Sequence, residues 1–265
     1  MSESTLQAAL SGADRVELRR AKSLLENRGL AVRIAGVVGT PVEKVLGALP
    51  EGAAQMIHAA TSKSLTAAVR AVVAQMNDAP KPPAQWMHTL AAATTGAVGG
   101  AFGLATIAVE LPVSTVIMLR SIADIARSEG QSIKRPDVQL ACVEVFALGG
   151  PSRFDDAAES AYFAVRAALA QTLTEAARHI AERGVAGGAA PALVRLTSQI
   201  AARFGIPVTE KVMAQSVPVL GAAGGALVNV LFIKHFQDLA RGHFIVRRLE
   251  AQYGQDAVRA AYDQI

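Results

Sequence analysis

TGAVGGAFGLATIAVELPVSTVIML, residues Thr95–Leu119, has the apolarity of a membrane span, yet a glutamate and then a proline interrupt it at Glu110 and Pro112. The chain carries no charged residue from Thr89 to Val109, and none from Val212 to Ile233, a run that contains SVPVLGAAGGALVNVLFI. Each run is about the length, roughly 20 residues, that crosses a hydrocarbon core as a helix. Their composition is that of marginal spans. The first is rich in Gly, Ala and Thr, and the second holds Gln215, Ser216, Pro218 and Asn229, all of which transfer into lipid less readily than leucine. Glycines four apart, Gly96 with Gly100, Gly99 with Gly103 and Gly221 with Gly225, lay a smooth strip on one helix face where two backbones can approach closely. Such a strip serves a buried helical pair in a globular bundle as well as helices that insert into or lie on a bilayer, and both readings stand. Apolar sequence resumes after Glu110 and runs to Arg120, too long for one untilted span. A break at Pro112, with Glu110 beside it, predicts two shorter helices in a re-entrant or buried arrangement.

The rest of the sequence points to an all-α fold, a compact multi-helix bundle around these two glycine-rich segments. Of 265 residues 51% are hydrophobic, 5% aromatic and 18% charged, and the mean hydropathy is +0.31. Alanine, leucine and valine carry that apolarity instead of aromatic or β-branched strand runs. A net charge of +4 without a long basic run or aromatic interleaving argues against a nucleic-acid partner. A mild basic excess beside apolar segments suits an anionic membrane surface better. The lone cysteine, Cys142, forbids an intrachain disulfide and fits a reducing compartment. MSESTLQAALSGADRVE is polar, without the apolar core of a secretory leader, so a cytoplasmic protein is expected.

Helix punctuation is dense and no strand is convincing. In TPVEKVLGALP, Thr40, Pro41 and Glu43 form a capping box, and a further helical pattern covers residues near 53 to 77. DAPKPPAQ then breaks the chain, dividing an N-terminal helical region (1–80) from the helical core and C-terminal helices (86–253) of one predicted domain, 1–265. Pro136 opens a helix that Gly149 and Gly150 close, and Ser152 with Asp155 caps the next. Another helix, APALVRLTSQIAARFGIP, is expected to end at Gly205. The count comes to eight to ten helices.

Templates for nucleotide binding, hydrolysis and zinc are absent, so the polar candidates must be weighed singly. Arg120, Asp124 and Arg127 share a helical face, either as a charge network at the water boundary or as a carboxylate between two guanidiniums that a phosphate can displace. Glu144 interrupts the apolar LACVEVFALGG and needs a partner or a raised pKa; Arg120, Arg127 or a histidine is the expected partner. His235 and Asp238 lie on one face, solvated at a helix end or, with Glu110 and Glu144, forming a bundle-type metal site. Asp155, Asp156 and Glu159 suit the first turns of a helix, and Trp86 is an interfacial anchor or a core aromatic. Arg241, Arg247 and Arg248, with Phe244 and Ile245 between them, form a basic amphipathic exit able to rest on anionic headgroups, and Lys211 and Lys234 flank the second apolar run.

Four blocks in this order, TGAVGGAFGLATIAVELPVSTVIMLRSIADIARSEG, LACVEVFALGG, DDAAESAYFAVRAAL and GAAGGALVNVLFIKHFQDLARGHFIVRRLE, resemble the EcsC protein family over most of the chain. The resemblance implies a bacterial, largely helical protein whose genetic context links it to an ABC transporter, and it brings no catalytic residues. The expected function is therefore that of a membrane-associated helical protein on the cytoplasmic face. Its contacts with lipid or a transporter component would run through Gly96, Gly100, Gly103, Gly221, Gly225 and the arginines of the basic exit. The alternative is a soluble metal-binding protein or enzyme built on Glu110, Glu144, His235 and Asp238.

Overall fold

The computed structural model describes residues 10–26, 30–38, 52–75, 107–150, 161–183, 191–215 and 221–265. Among them are nine α-helices and no strand: α1 (Gly12–Leu25), α2 (Leu30–Val38), α3 (Ala53–Gln75), α4 (Ile107–Ser128), α5 (Pro136–Leu148), α6 (Ala161–Arg183), α7 (Pro191–Gln215), α8 (Gly221–Tyr253) and α9 (Gln255–Asp263). The architecture is an all-α bundle. The capping box at Thr40, the DAPKPPAQ break, Trp86, Ser152 and the carboxylates at Asp155, Asp156 and Glu159 lie outside the described residues, as do Gly96, Gly99, Gly100 and Gly103.

Two long-range relationships organise the bundle. The first is α8, 33 residues long and therefore on the order of 50 Å, which packs against α1, α2, α4, α5, α7 and α9. The second is α5, whose residues from Val138 to Ala147 are all buried because α3, α4, α6, α7 and α8 surround it. A helix enclosed on every side has no polar face to show, which is why LACVEVFAL reads as a continuous apolar run around Glu144. Its first turn is set by Pro136, whose fixed φ suits the first helical position.

The main core centres on Phe146, Phe204, Phe232 and Phe236, whose rings meet at centroid distances of 4.8–6.1 Å. The end of α5 is docked against it. A Cβ at Gly149 would stand 2.6 Å from Phe236 Cε1, and one at Gly150 would stand 3.0 Å from the Arg203 carbonyl oxygen. Arg203 in turn donates from Nε to the Ala147 carbonyl at 2.7 Å, which satisfies one of the carbonyls the helix end leaves open. A second core at the other end joins Leu18 and Ala21 of α1, Tyr162 and Phe163 of α6, Leu249 of α8, and Val258 and Tyr262 of α9.

Three expectations drawn from the sequence are corrected here. No break occurs at Pro112: α4 runs through it from Ile107 to Ser128. Proline there removes only one bond, to the Ala108 carbonyl in the first described turn, and the burial of Leu111, Ser114, Thr115, Met118 and Leu119 outweighs that loss. Likewise α7 does not stop at Gly205 but continues through Pro207 to Gln215, because Phe204, Pro207, Val208, Lys211 and Val212 keep its buried face continuous. Finally, the uncharged run Val212–Ile233 is not one segment: its first residues finish α7 and its last begin α8. Among the described residues no helix is long and apolar enough to cross a membrane.

Candidate functional site

Contacts between α4 and α8 show which ends of the bundle carry which residues. Gln237 Nε2 donates to Ser121 Oγ at 2.8 Å, and Arg248 Nε to Glu129 Oε2 at 3.1 Å, so the two helices run in the same direction. Their first turns therefore lie at one end, where the last turns of α7 join them through Lys211. Lys211 is 3% exposed, donates to Glu110 Oε1 at 2.7 Å and has its ammonium 5.0 Å from the Phe232 ring centre. Burial holds its pKa below the ordinary value, and the neighbouring carboxylate of Glu110 works against that shift. Around this pair, Val109 and Val113, one turn apart on α4, are 72% and 47% exposed, and Leu227 on α8 is 44% exposed. Both uncharged stretches lead into this end.

A charged cleft of about 430 Å³ lies between α5, α6, the last turns of α8 and the start of α9. Phe163, Ala167, Ala170, Leu173 and Ala177 of α6 give it an apolar wall at helical spacing. Arg247 and Glu250 of α8 and Asp256 and Arg259 of α9 also line it, with the Arg259 guanidinium 5.6 Å from the Phe163 ring centre. Arg166 binds Glu250 with two donors at 2.6 and 2.9 Å, a fork that fixes both side chains. Asp137 accepts from Arg135 twice at 3.1 Å and from Arg247 at 3.4 Å.

Glu144 lines this cleft from α5 and is only 2% exposed. Burial pushes its carboxyl up to about 7, against the pull of Arg166 and Arg247. Its Oε2 lies 3.6 Å from His243 Nε2, beyond a good hydrogen bond. The other ring nitrogen, Nδ1, is 3.0 Å from the Tyr162 hydroxyl oxygen. Burial holds His243 well below an ordinary histidine, with Arg166 and Arg247 adding to the effect, so its ring is neutral. Burial likewise raises the Tyr162 hydroxyl, which stays protonated. Tyr162, His243 and Glu144 thus form a file from the second core to the cleft wall in which the tyrosine and the histidine are neutral. Neither Glu144 nor its histidine partner required the structure to be suspected, but the choice of His243 over Arg120 and Arg127 did.

The remaining candidates are separated by the fold. His235 Nε2 lies 3.2 Å from the Gly149 carbonyl, which only accepts, so the proton sits on Nε2. Its pKa is lowered to about 4 by burial. Asp238 pairs with Arg33 of α2 at 3.3 Å. With Glu110 on Lys211 and Glu144 beside His243, the four expected metal ligands face four different partners, and among the described residues no three His, Cys, Asp or Glu side chains gather as a cation site. Asp124 pairs with Arg127 while Arg120 is exposed, so the three-residue face closes on itself over one turn.

The basic exit is not a free basic face. Arg247 meets Asp137, Arg248 meets Glu129 at 3.1 Å and Glu17 at 3.8 Å, and Arg241 is half-buried and engaged. Arg247 and Arg248 lie near the cleft end of α8, roughly 30 Å from Leu227 at helical rise, and Arg241 about 21 Å from it. Of the glycine strip on α8, Gly221 is its first residue and Gly225 is buried. A close backbone approach is found at Gly242. A Cβ there would stand 2.7 Å from Leu25 Cγ and 2.9 Å from the Ala21 carbonyl oxygen of α1.

No curated protein and no solved structure matches the chain. The EcsC protein family matches residues 14–249, a span that holds all the cleft lining except Glu250 and the residues of α9. On that coverage the chain belongs to the EcsC protein family.

Proposed function

We propose that the protein works at the cytoplasmic membrane surface, resting on the bilayer or on an integral partner such as a transporter component through the end where α4 and α8 begin. The observation that supports this is the exposure of Val109, Val113 and Leu227 at the end into which both charge-free stretches run. Singly exposed apolar residues are ordinary, but several at one end beside long uncharged sequence mark an interaction surface. Glu110 and Lys211 neutralise each other beneath it, so no buried charge opposes shallow insertion. The arginines of α8 take part in the fold instead, so apolar contact and not headgroup charge dominates the attraction. Binding should therefore survive high salt, which screens charge but not apolar burial.

Flotation with vesicles tests this. The protein is expected to rise with both anionic and neutral phosphatidylcholine vesicles at high salt, and a Val109→Asp/Val113→Asp variant, altered only at exposed positions, to stay below. Recovery of the unaltered protein in the soluble fraction with both lipids would overturn the proposal.

A further inference from the structure

The cleft holds polar atoms that the fold leaves unsatisfied. Among the described residues, Arg247 Nε in the lining and His243 Nε2 next to Glu144 are buried without a hydrogen-bond partner, and Glu144 Oε2 lies 3.6 Å from that histidine nitrogen. Leaving such groups dry and unpaired is costly, so their retention beside an open cavity points to an occupant. Two of the neighbouring carboxylates are already committed, Glu250 to both donors of Arg166 and Asp137 to Arg135 and Arg247, and Asp256 lines the cleft beside them. What the cleft offers a newcomer is therefore donor capacity at Arg247. A cationic headgroup would meet three guanidiniums as well as Asp256. An acidic one would find the N–H of Arg247 and, when Glu144 is protonated, a second donor.

The apolar wall defines the rest of the ligand. Phe163, Ala167, Ala170, Leu173 and Ala177 recur along one face of α6 over a length of about 21 Å at helical rise. Alanines open a groove there, with Leu140 and Ala141 of α5 beside it. The volume, about 430 Å³, falls in the range of small-molecule sites, roughly 300–1,000 Å³. We propose that this cleft binds an amphiphilic carboxylic acid, its carboxylate against Arg247 and Glu144 and its apolar body along the α6 wall. Gln255, Asp256 and Arg259 of α9 complete the lining from outside the residues that match the family.

Binding is coupled to proton uptake. The groups facing Glu144 are Asp137 on its own helix, Tyr162 and Arg166 of α6, His243, Arg247 and Glu250 of α8, and Asp256 and Arg259 of α9. Of the other helices around α5, α7 turns Arg203 to the Ala147 carbonyl, α4 turns Arg127 to Asp124, and Lys63 and Arg70 of α3 are exposed. Burial raises the Glu144 carboxyl to about 7. A bound carboxylate favours its protonated form, so affinity rises as pH falls.

Calorimetric titration of the full chain with decanoate, at pH 6 and pH 8 and below its micellar range, tests the proposal. Saturable one-to-one binding is expected, about tenfold tighter at pH 6, the change in the protonated fraction of a carboxyl titrating near 7. Decylamine should not compete. Ala170→Trp, at an exposed position of the wall, should abolish binding, Val109→Asp/Val113→Asp should leave it intact, and Glu144→Gln should retain it without the pH dependence. No saturable binding, equal or tighter binding of decylamine, or binding indifferent to Ala170→Trp would each overturn it.

Discussion

Glu110 and Lys211, 101 positions apart in the chain, meet at 2.7 Å in a buried pair that ties the start of α4 to the end of α7. Neither charge has water to fall back on, so each is tolerable only because of the other. We expect Lys211→Met to lower stability by about 3–5 kcal/mol, the loss that follows stranding one buried charge. A Glu110→Leu/Lys211→Leu double variant should recover most of that loss, since two apolar side chains leave nothing unpaired. Urea unfolding midpoints at constant slope measure both. A single variant that costs no more than a surface substitution would mean that the pair is hydrated.

Glu144 makes stability fall with pH in a defined window. Its carboxyl ionises at 4.5 when unfolded and about 7 when folded, so between those values the native state holds the extra proton. The unfolded chain then binds fewer protons, and stability declines as pH rises through the window. Glutamine keeps the volume without the charge. The advantage of Glu144→Gln over the native protein should grow from nearly nothing below pH 4.5 to a plateau above pH 7, on the order of 3 kcal/mol for a shift of that size. His235 and His243, whose folded values are lowered, destabilise the protein in acid in both chains and largely drop out of the difference. Urea unfolding at pH 5, 6, 7 and 8 reads the curve. A glutamine variant less stable than the native protein at pH 8 would show that Arg166 and Arg247 outweigh burial.

Helix content was legible because alanine-rich periodicity and caps are local properties. The type of several special residues was legible too: Glu144 was marked by its apolar neighbours and does sit buried beside a histidine. Partners were not, because they come from helices distant in sequence. Lys211 looked like a flank of an apolar run, yet it is buried, since its partner Glu110 comes from α4. The arginines of α8 looked like a basic face because Asp137, Glu129 and Glu17, which neutralise Arg247 and Arg248, are separated from them by whole helices. Pro112 and Gly205 looked like breaks because local propensity opposes a helix there, and tertiary burial of Leu111 and Phe204 overrides it.

Two glycines should respond to alanine with opposite signs. At Gly242 the added methyl would press on the Ala21 carbonyl oxygen at 2.9 Å and Leu25 Cγ at 2.7 Å, and a helix backbone cannot step aside as a side-chain tip can. The gain in helix propensity, about 1 kcal/mol, is smaller than the upper range of overpacking, about 1–3 kcal/mol. We expect Gly242→Ala to be destabilising by about 1–2 kcal/mol on that balance. Gly205 has nothing within 4 Å of its would-be Cβ, so Gly205→Ala should gain up to about 1 kcal/mol from propensity alone. Thermal unfolding of both variants decides the matter; equal shifts in the same direction would refute the close approach of α1 to α8.

Cys142 supplies a reporter for these variants. It is fully buried in α5 and its thiol is pushed up to about 12 by burial, so at neutral pH it is both inaccessible and protonated. Thiolate is the reactive form, and α5 is enclosed by five other helices. Labelling by a disulfide reagent should therefore wait for unfolding, proceeding at the unfolding rate when reagent is abundant and tracking the unfolding equilibrium when it is scarce. Gly242→Ala should accelerate labelling at scarce reagent by the factor its loss of stability dictates, about tenfold for each 1.4 kcal/mol. Val109→Asp, an exposed change, should leave the rate alone. Labelling of the native protein as fast as the urea-unfolded chain would mean that α5 opens without global unfolding, contrary to its position at the centre of the bundle.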